Sequence, residues 1–169
     1  LIILVNISLS QKLLIPMDYS QTDHLKAYGV AFLNLKQSDN VEWLLNYRGG
    51  SFLINDSPDL QTICTIRGVS FESVNASKLS DILMEIESHN MDIVLLEKEP
   101  KIAVYSPSDK QPWDDAVTLA LTYAEIDYDV IFDDEVINGK IKDYDWLHLH
   151  HEDFTGQYGK FYRSYRNAI

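Results

Sequence analysis

Strand-like and helix-like stretches alternate along most of this chain, the pattern of an α/β fold with a parallel sheet and helices on both faces. A second observation supports it. The order strand, loop, helix, strand occurs twice, with strand starts 29 residues apart from Lys12 to Val41 and 27 apart from Lys101 to Tyr128. Both distances suit a βαβ crossover. The third is composition: 46% hydrophobic and 24% charged residues over 169 positions give enough apolar material for a packed core.

In the first half, Lys12-Leu-Leu-Ile-Pro-Met-Asp18 is an apolar run closed by Pro and Asp, a buried strand entering a loop. Ser20 or Thr22 can cap the next helix, with Asp23 in its first turn. Leu25, Tyr28, Gly29, Phe32 and Leu35 fall at helical spacing and predict its apolar face. After the turn at 37–40, Val41 to Asn46 reads as a strand. Tyr47-Arg-Gly-Gly-Ser51 is a glycine turn that leads into Phe52-Leu-Ile54. Ser57-Pro58 opens a helix that Gly68 stops. Val69 to Val74 alternates as a strand does. Asn75 caps a helix with Leu79, Ile82, Leu83 and Ile86 on one face, and Asp92 to Leu96 is another strand.

A charged linker, Glu97-Lys-Glu-Pro100, separates the halves. Lys101 to Tyr105 is a strand, and the loop that follows holds two prolines. Asp114-Asp115 open a helix with Val117, Ala120, Leu121 and Ala124 on one side. Tyr128 to Phe132 is a strand, Asp133-Asp-Glu135 an acidic solvated stretch, and Val136 to Lys142 a helical turn broken at Gly139. Tyr144 to Leu149 is the next strand and Tyr158 to Tyr165 the next helix. The expected architecture is Rossmann- or flavodoxin-like, with two βαβ-type halves at 11–97 and 98–169. Residues 1–10 are apolar and end with serines at 8 and 10, the small-residue spacing of a signal-peptidase site before Gln11. The reading is an exported protein, periplasmic or extracellular, without stable membrane insertion once the leader is removed. Its C-terminus is read as truncated.

Charge and cysteine content exclude several functions. A formal net charge of −12 repels phosphate backbones and anionic lipid headgroups, and no cluster of Lys and Arg counters it. Nucleic acid is therefore not an expected partner. A single cysteine, Cys64, rules out an intrachain disulfide and a multi-cysteine zinc site. Its apolar context in Thr62-Ile-Cys-Thr-Ile66 suits packing better than nucleophilic attack. There is no Walker loop, no dinucleotide fingerprint and no Gly-x-Ser-x-Gly elbow.

Ligands of open α/β sheets bind beyond the carboxyl ends of the strands, which ranks the polar residues. Asp18, Arg48, Gly49, Gly50, Ser106, Asp153, Thr155 and Gly156 are candidate ligand contacts. Arg48 can grip a carboxylate or phosphate at two points. Thr155-Gly-Gln-Tyr-Gly159, at a helix start, offers backbone N–H groups to an anion or oxyanion. His150, His151 and Glu152 are the candidate catalytic residues, since a strand-end histidine beside carboxylates shuttles protons near neutrality. His148 and His150 project to one side of a strand, as two zinc ligands would. No cofactor is predicted and no metal site is favoured; zinc is possible, and otherwise His148 is a hydrogen-bonded core histidine.

Six segments resemble one bacterial family. They are Leu14-Ile-Pro-Met-Asp18, His24-Leu-Lys-Ala-Tyr-Gly29, Trp43-Leu-Leu-Asn-Tyr-Arg-Gly-Gly-Ser-Phe52, Lys101-Ile-Ala-Val-Tyr-Ser-Pro107, Pro112-Trp-Asp-Asp-Ala-Val-Thr-Leu119 and Tyr144-Asp-Trp-Leu-His-Leu-His-His-Glu-Asp-Phe-Thr-Gly-Gln-Tyr-Gly159. They are similar to exported bacterial proteins usually labelled asparagine synthetase B. The second half is similar in element order to class I glutamine-amidotransferase-like domains, in which the loop at the place of 150–156 supplies oxyanion contacts. The chain lacks the Ser-Gly-Gly-x-Asp-Ser ATP loop, and leader removal leaves Gln11 or Lys12 first where that chemistry needs cysteine. The resemblance thus implies a protein that binds or processes a small polar ligand, without ATP-dependent asparagine synthesis. Two alternatives stand beside it: a metal-assisted hydrolase using His148, His150 and a carboxylate, and a non-catalytic envelope module presenting its ten tyrosines and three tryptophans to a protein or carbohydrate.

Overall fold

A computed structural model describes residues 11–106 and 115–149. The expected leader, the two-proline loop at 107–114 and everything from 150 onward lie outside the described residues. The chain divides into two compact units, Leu1–Pro100 with Ala120–Asp127, and Lys101–Leu119 with Tyr128–Ile169.

The first unit contains β1 (Lys12–Ile15), α1 (His24–Lys36), β2 (Val41–Leu45), β3 (Ser51–Asn55), α2 (Pro58–Arg67), β4 (Glu72–Val74), α3 (Ala76–Ser88) and β5 (Asp92–Leu96). The class is α/β, but the expected parallel sheet is not what forms here. The strand order is β4-β1-β3-β2-β5 and every pairing is antiparallel. Up to β4 this is the split-βαβ, ferredoxin-like arrangement. The α1 crossover from β1 to β2 exists, yet it leaves a gap one strand wide. The tight reversal at residues 46–50 sends the chain straight back, and β3 fills that gap with Leu14 opposite Leu53 and Trp43 opposite Phe52. Spacing between strand starts reports the length of a crossover, not what lies inside it.

Alternation along the strands gives the sheet two apolar faces. Leu13, Ile15, Val41, Phe52 and Ile54 pack with Ala27, Val30 and Ala31 of α1 and with Leu60 and Cys64 of α2. Leu14, Leu44, Leu53 and Val74 pack with Ile82 and Ile86 of α3. Burial pushes the Cys64 thiol up to about 11, so it is protonated and inert at neutral pH. Two details of α1 differ from the sequence reading. Its N-cap is Asp23, whose carboxylate accepts the Lys26 N–H at 2.9 Å; Ser20 is engaged with Asp18 and Arg48, and Thr22 with Gly68. Of its expected apolar face, Gly29, Phe32 and Leu35 are buried together with Ala27, Val30 and Ala31, while Leu25 and Tyr28 are exposed.

In the second unit β6 (Ile102–Tyr105) lies between β7 (Asp129–Ile131) and β8 (Trp146–Leu149), and both pairings are parallel. This part has the parallel βαβ geometry the sequence predicts, compatible with a Rossmann- or flavodoxin-like fold. The helix α4 (Ala116–Ala124) begins in this unit, and α5 (Asp133–Ile137) follows β7. Ile102, Ala103 and Val104 are buried, as a central parallel strand requires. The stretch Asp133 to Glu135, expected as solvated loop, forms the first turn of α5. Acidic groups suit the positive end of a helix, and Glu135 accepts the Phe132 N–H at 3.1 Å.

Candidate functional site

The second unit places its polar groups at the carboxyl ends of β6 and β8. Sheet register sets His148 opposite Val104, so both side chains point to one face. Ser106, two residues past Val104, continues that face at the end of β6, where its N–H donates to the Ile131 carbonyl at 3.0 Å. Asp115 stands immediately before α4. One carboxylate oxygen accepts the Val117 N–H at 2.6 Å and the Thr118 N–H at 3.3 Å, capping the helix. The other meets His148 Nε2 at 2.9 Å. The Thr118 hydroxyl donates back to the Asp115 carbonyl at 3.0 Å. Asp115 is thus locked by the helix it caps, and it locks the imidazole in turn.

The chemistry of this pair follows from the partner. A carboxylate accepts, so Nε2 carries a proton toward Asp115, and in the neutral tautomer that this bond selects Nδ1 is the lone-pair acceptor. The His148 side chain is 19% exposed and that of Asp115 is 9% exposed. Burial strengthens their bond and keeps water from competing for it. Ser106 is 1% exposed, and its hydroxyl has no hydrogen-bond partner among the described residues. A hydroxyl buried in that state costs about 1–3 kcal/mol. At the end of β7, Asp133 accepts the Tyr105 hydroxyl at 2.6 Å, and the Tyr105 and Phe132 rings touch with centroids 5.2 Å apart. The carboxyl edge is therefore acidic, with Asp115, Asp133, Asp134 and Glu135 at or beyond the strand ends.

In the first unit, Asp18 and Arg48 meet each other. Arg48 Nε binds Asp18 at 2.7 Å, Nη1 binds Glu72 at 2.6 Å and Nη2 donates to the Ser20 hydroxyl at 2.9 Å. Glu72 also pairs with Lys78. The Arg48 hydrogen bond, followed by those from Ser20, holds the Asp18 carboxyl well below its ordinary range. Lys78, then Arg48, lowers Glu72, and Asp18 pushes Arg48 further above its usual value. With two acids against two bases the group is neutral, and all three guanidinium nitrogens are committed. It ties the loop after β1 to the turn at 46–50 and to β4. That turn is strained: Asn46 and Arg48 have φ of 65° and 45°, and Gly49 and Gly50 have 82° and 92°. The Gly50 N–H, expected to be open to a ligand, donates to the Tyr47 carbonyl at 3.0 Å.

The structure thus joins Asp18 and Arg48 in one ion-pair network, leaves Gly49 and Gly50 in the turn beside it, and places Ser106 with His148 in a different unit. His150, His151, Glu152, Asp153, Thr155 and Gly156 lie outside the described residues. His148 matches its hydrogen-bonded reading. Among the described residues no cluster of three His, Cys, Asp or Glu side chains is arranged to hold a metal. No described helix is long and apolar enough to cross a membrane. From sequence, Asp115 stands out only as a helix opener. The signal that marks it is positional: the first turn of a helix that follows a parallel strand lies at the carboxyl edge, so its cap faces the same place as the strand-end loops.

No family model matches the chain, and no curated protein matches it. Among solved structures, the chain is similar to a formyltetrahydrofolate deformylase from Pseudomonas putida KT2440 at 15% identity, over 94% of this chain and 55% of that one, with a TM-score of 0.22. The chain therefore spans about half the length of that protein, and the likeness is too slight to carry a function across.

Proposed function

We propose that the chain binds or processes a small polar ligand at the carboxyl edge of the parallel sheet, with His148, oriented by Asp115, as its acid–base group. The observation that carries this is the 2.9 Å bond between His148 Nε2 and a helix-capping carboxylate. A carboxylate that fixes the tautomer and stabilises the imidazolium is what turns a histidine into an efficient proton acceptor. The Nδ1 lone pair takes a proton from the ligand, and Asp115 stabilises the cation that results. The reading places the chain with the exported bacterial proteins labelled asparagine synthetase B and with amidotransferase-like α/β domains; the segments quoted above support that placement.

Calorimetric titration with L-asparagine and L-glutamine tests it. Saturable binding is expected to at least one of them, weakened about 10- to 100-fold in Asp115→Asn, because the ring then loses a charge-assisted bond. Equal affinity in the two proteins, or binding abolished by Arg48→Met and untouched by Asp115→Asn, overturns the proposal.

A further inference from the structure

We infer that Ser106 and His148 together form a subsite for a neutral polar head, a hydroxyl or a primary amide, and that this subsite rejects carboxylates. The inference rests on the proposed function and names the ligand chemistry that function takes. Ser106 is 1% exposed and its hydroxyl has no partner among the described residues, although nearly all buried polar groups in folded proteins are paired. It is on the same sheet face as His148, on the neighbouring strand and one pleat further on. Strand spacing and rise put their Cα atoms about 8 Å apart, within reach of one small polar group bridging the two side chains.

The two side chains make complementary demands. Nε2 of His148 is committed to Asp115, so the tautomer this bond selects offers Nδ1 as an acceptor. Ser106 offers a hydroxyl that can donate. A ligand head that satisfies both must donate to Nδ1 and accept from Ser106. A hydroxyl does this, and so does a primary amide through its NH₂ and its carbonyl. A carboxylate has only acceptors, and it sets a lone pair against Nδ1. It also meets a field made by Asp115 at the helix cap and Asp133 at the end of β7, both on the same edge of the sheet. Charge and hydrogen-bond polarity therefore exclude the same ligands.

Propionamide and propionate differ only in this head, and ¹H–¹⁵N spectra of the protein titrated with each give the test. Propionamide is expected to shift the Ser106 amide and the His148 ring, and propionate to bind at least tenfold more weakly. Ser106→Ala is expected to weaken propionamide binding about tenfold while its melting temperature stays level or rises, because the hydroxyl makes no bond in the free protein. Equal affinity for the two fragments overturns the inference, and so does undiminished propionamide binding in Ser106→Ala. In both cases the role of His148 survives if Asp115→Asn still weakens amino-acid binding. Absence of any shift with either fragment overturns the subsite as well.

Discussion

Arg48 shows how far the meaning of a residue depends on its neighbours. Beside two glycines in a loop it reads as an anion grip, but in the fold its nitrogens hold Asp18, Glu72 and Ser20. The sequence contains every member of that network, yet Glu72 is 24 residues from Arg48 and only strand pairing brings them together. The network has a pH signature. Asp18 and Glu72 are held below ordinary values of 3.8 and 4.5, so their stabilisation is complete above those values and drains away as pH falls below them. Melting curves of the native protein and of Arg48→Met should differ at neutral pH and converge in acid; a constant gap across the pH range would contradict the network. Gly49 is legible from sequence for a firmer reason. Its φ is +82°, and an added Cβ would lie 2.4 Å from the Met17 carbonyl oxygen. Gly49→Ala should cost about 1–3 kcal/mol in urea denaturation, through strain at that turn.

At the scale of elements, the signals that survive folding are local. Ser57 and Asn75 cap α2 and α3, accepting the Leu60 and Lys78 N–H groups at 3.1 Å and 2.9 Å, and Gly68 closes α2 at a φ of 69°. Those roles need only the adjacent residues. The burial of α1 does not follow from spacing alone, because Leu25 and Tyr28 share a helical face and still remain exposed. Which side a helix presents depends on the sheet it meets. The strands give a sharp contrast to test this. Leu53 on β3 is fully buried and Leu95 on β5 is 51% exposed. Leu53→Ala should lose about 2–5 kcal/mol, and Leu95→Ala about 0.5 kcal/mol or less, measured by chemical denaturation. Comparable losses would mean that β5 is covered in solution.

Across the whole chain, the α/β class is legible from alternating strands and helices, but the direction of pairing is legible only in part. The second crossover, from Lys101 to Tyr128, gives adjacent parallel strands. The first, of nearly equal length, brackets an intervening strand and belongs to an antiparallel sheet. Nothing in crossover length separates these outcomes; the reversal at 46–50 does, by returning β3 beside β2 before any helix intervenes. The difference bears on function. A parallel sheet gathers the carboxyl ends of its strands and the first turns of its helices at one edge, and there Ser106, Asp115 and His148 come together. In the antiparallel unit, the polar residues at the corresponding end neutralise one another. The central claim, that the carboxyl edge of the parallel unit is where a ligand acts, is tested most directly by the ring ¹⁵N resonances of His148 during titration with L-asparagine and L-glutamine. Saturable movement of the Nδ1 signal, with Nε2 still protonated against Asp115, is the predicted result. A ring that stays unmoved while either amino acid binds elsewhere would contradict it.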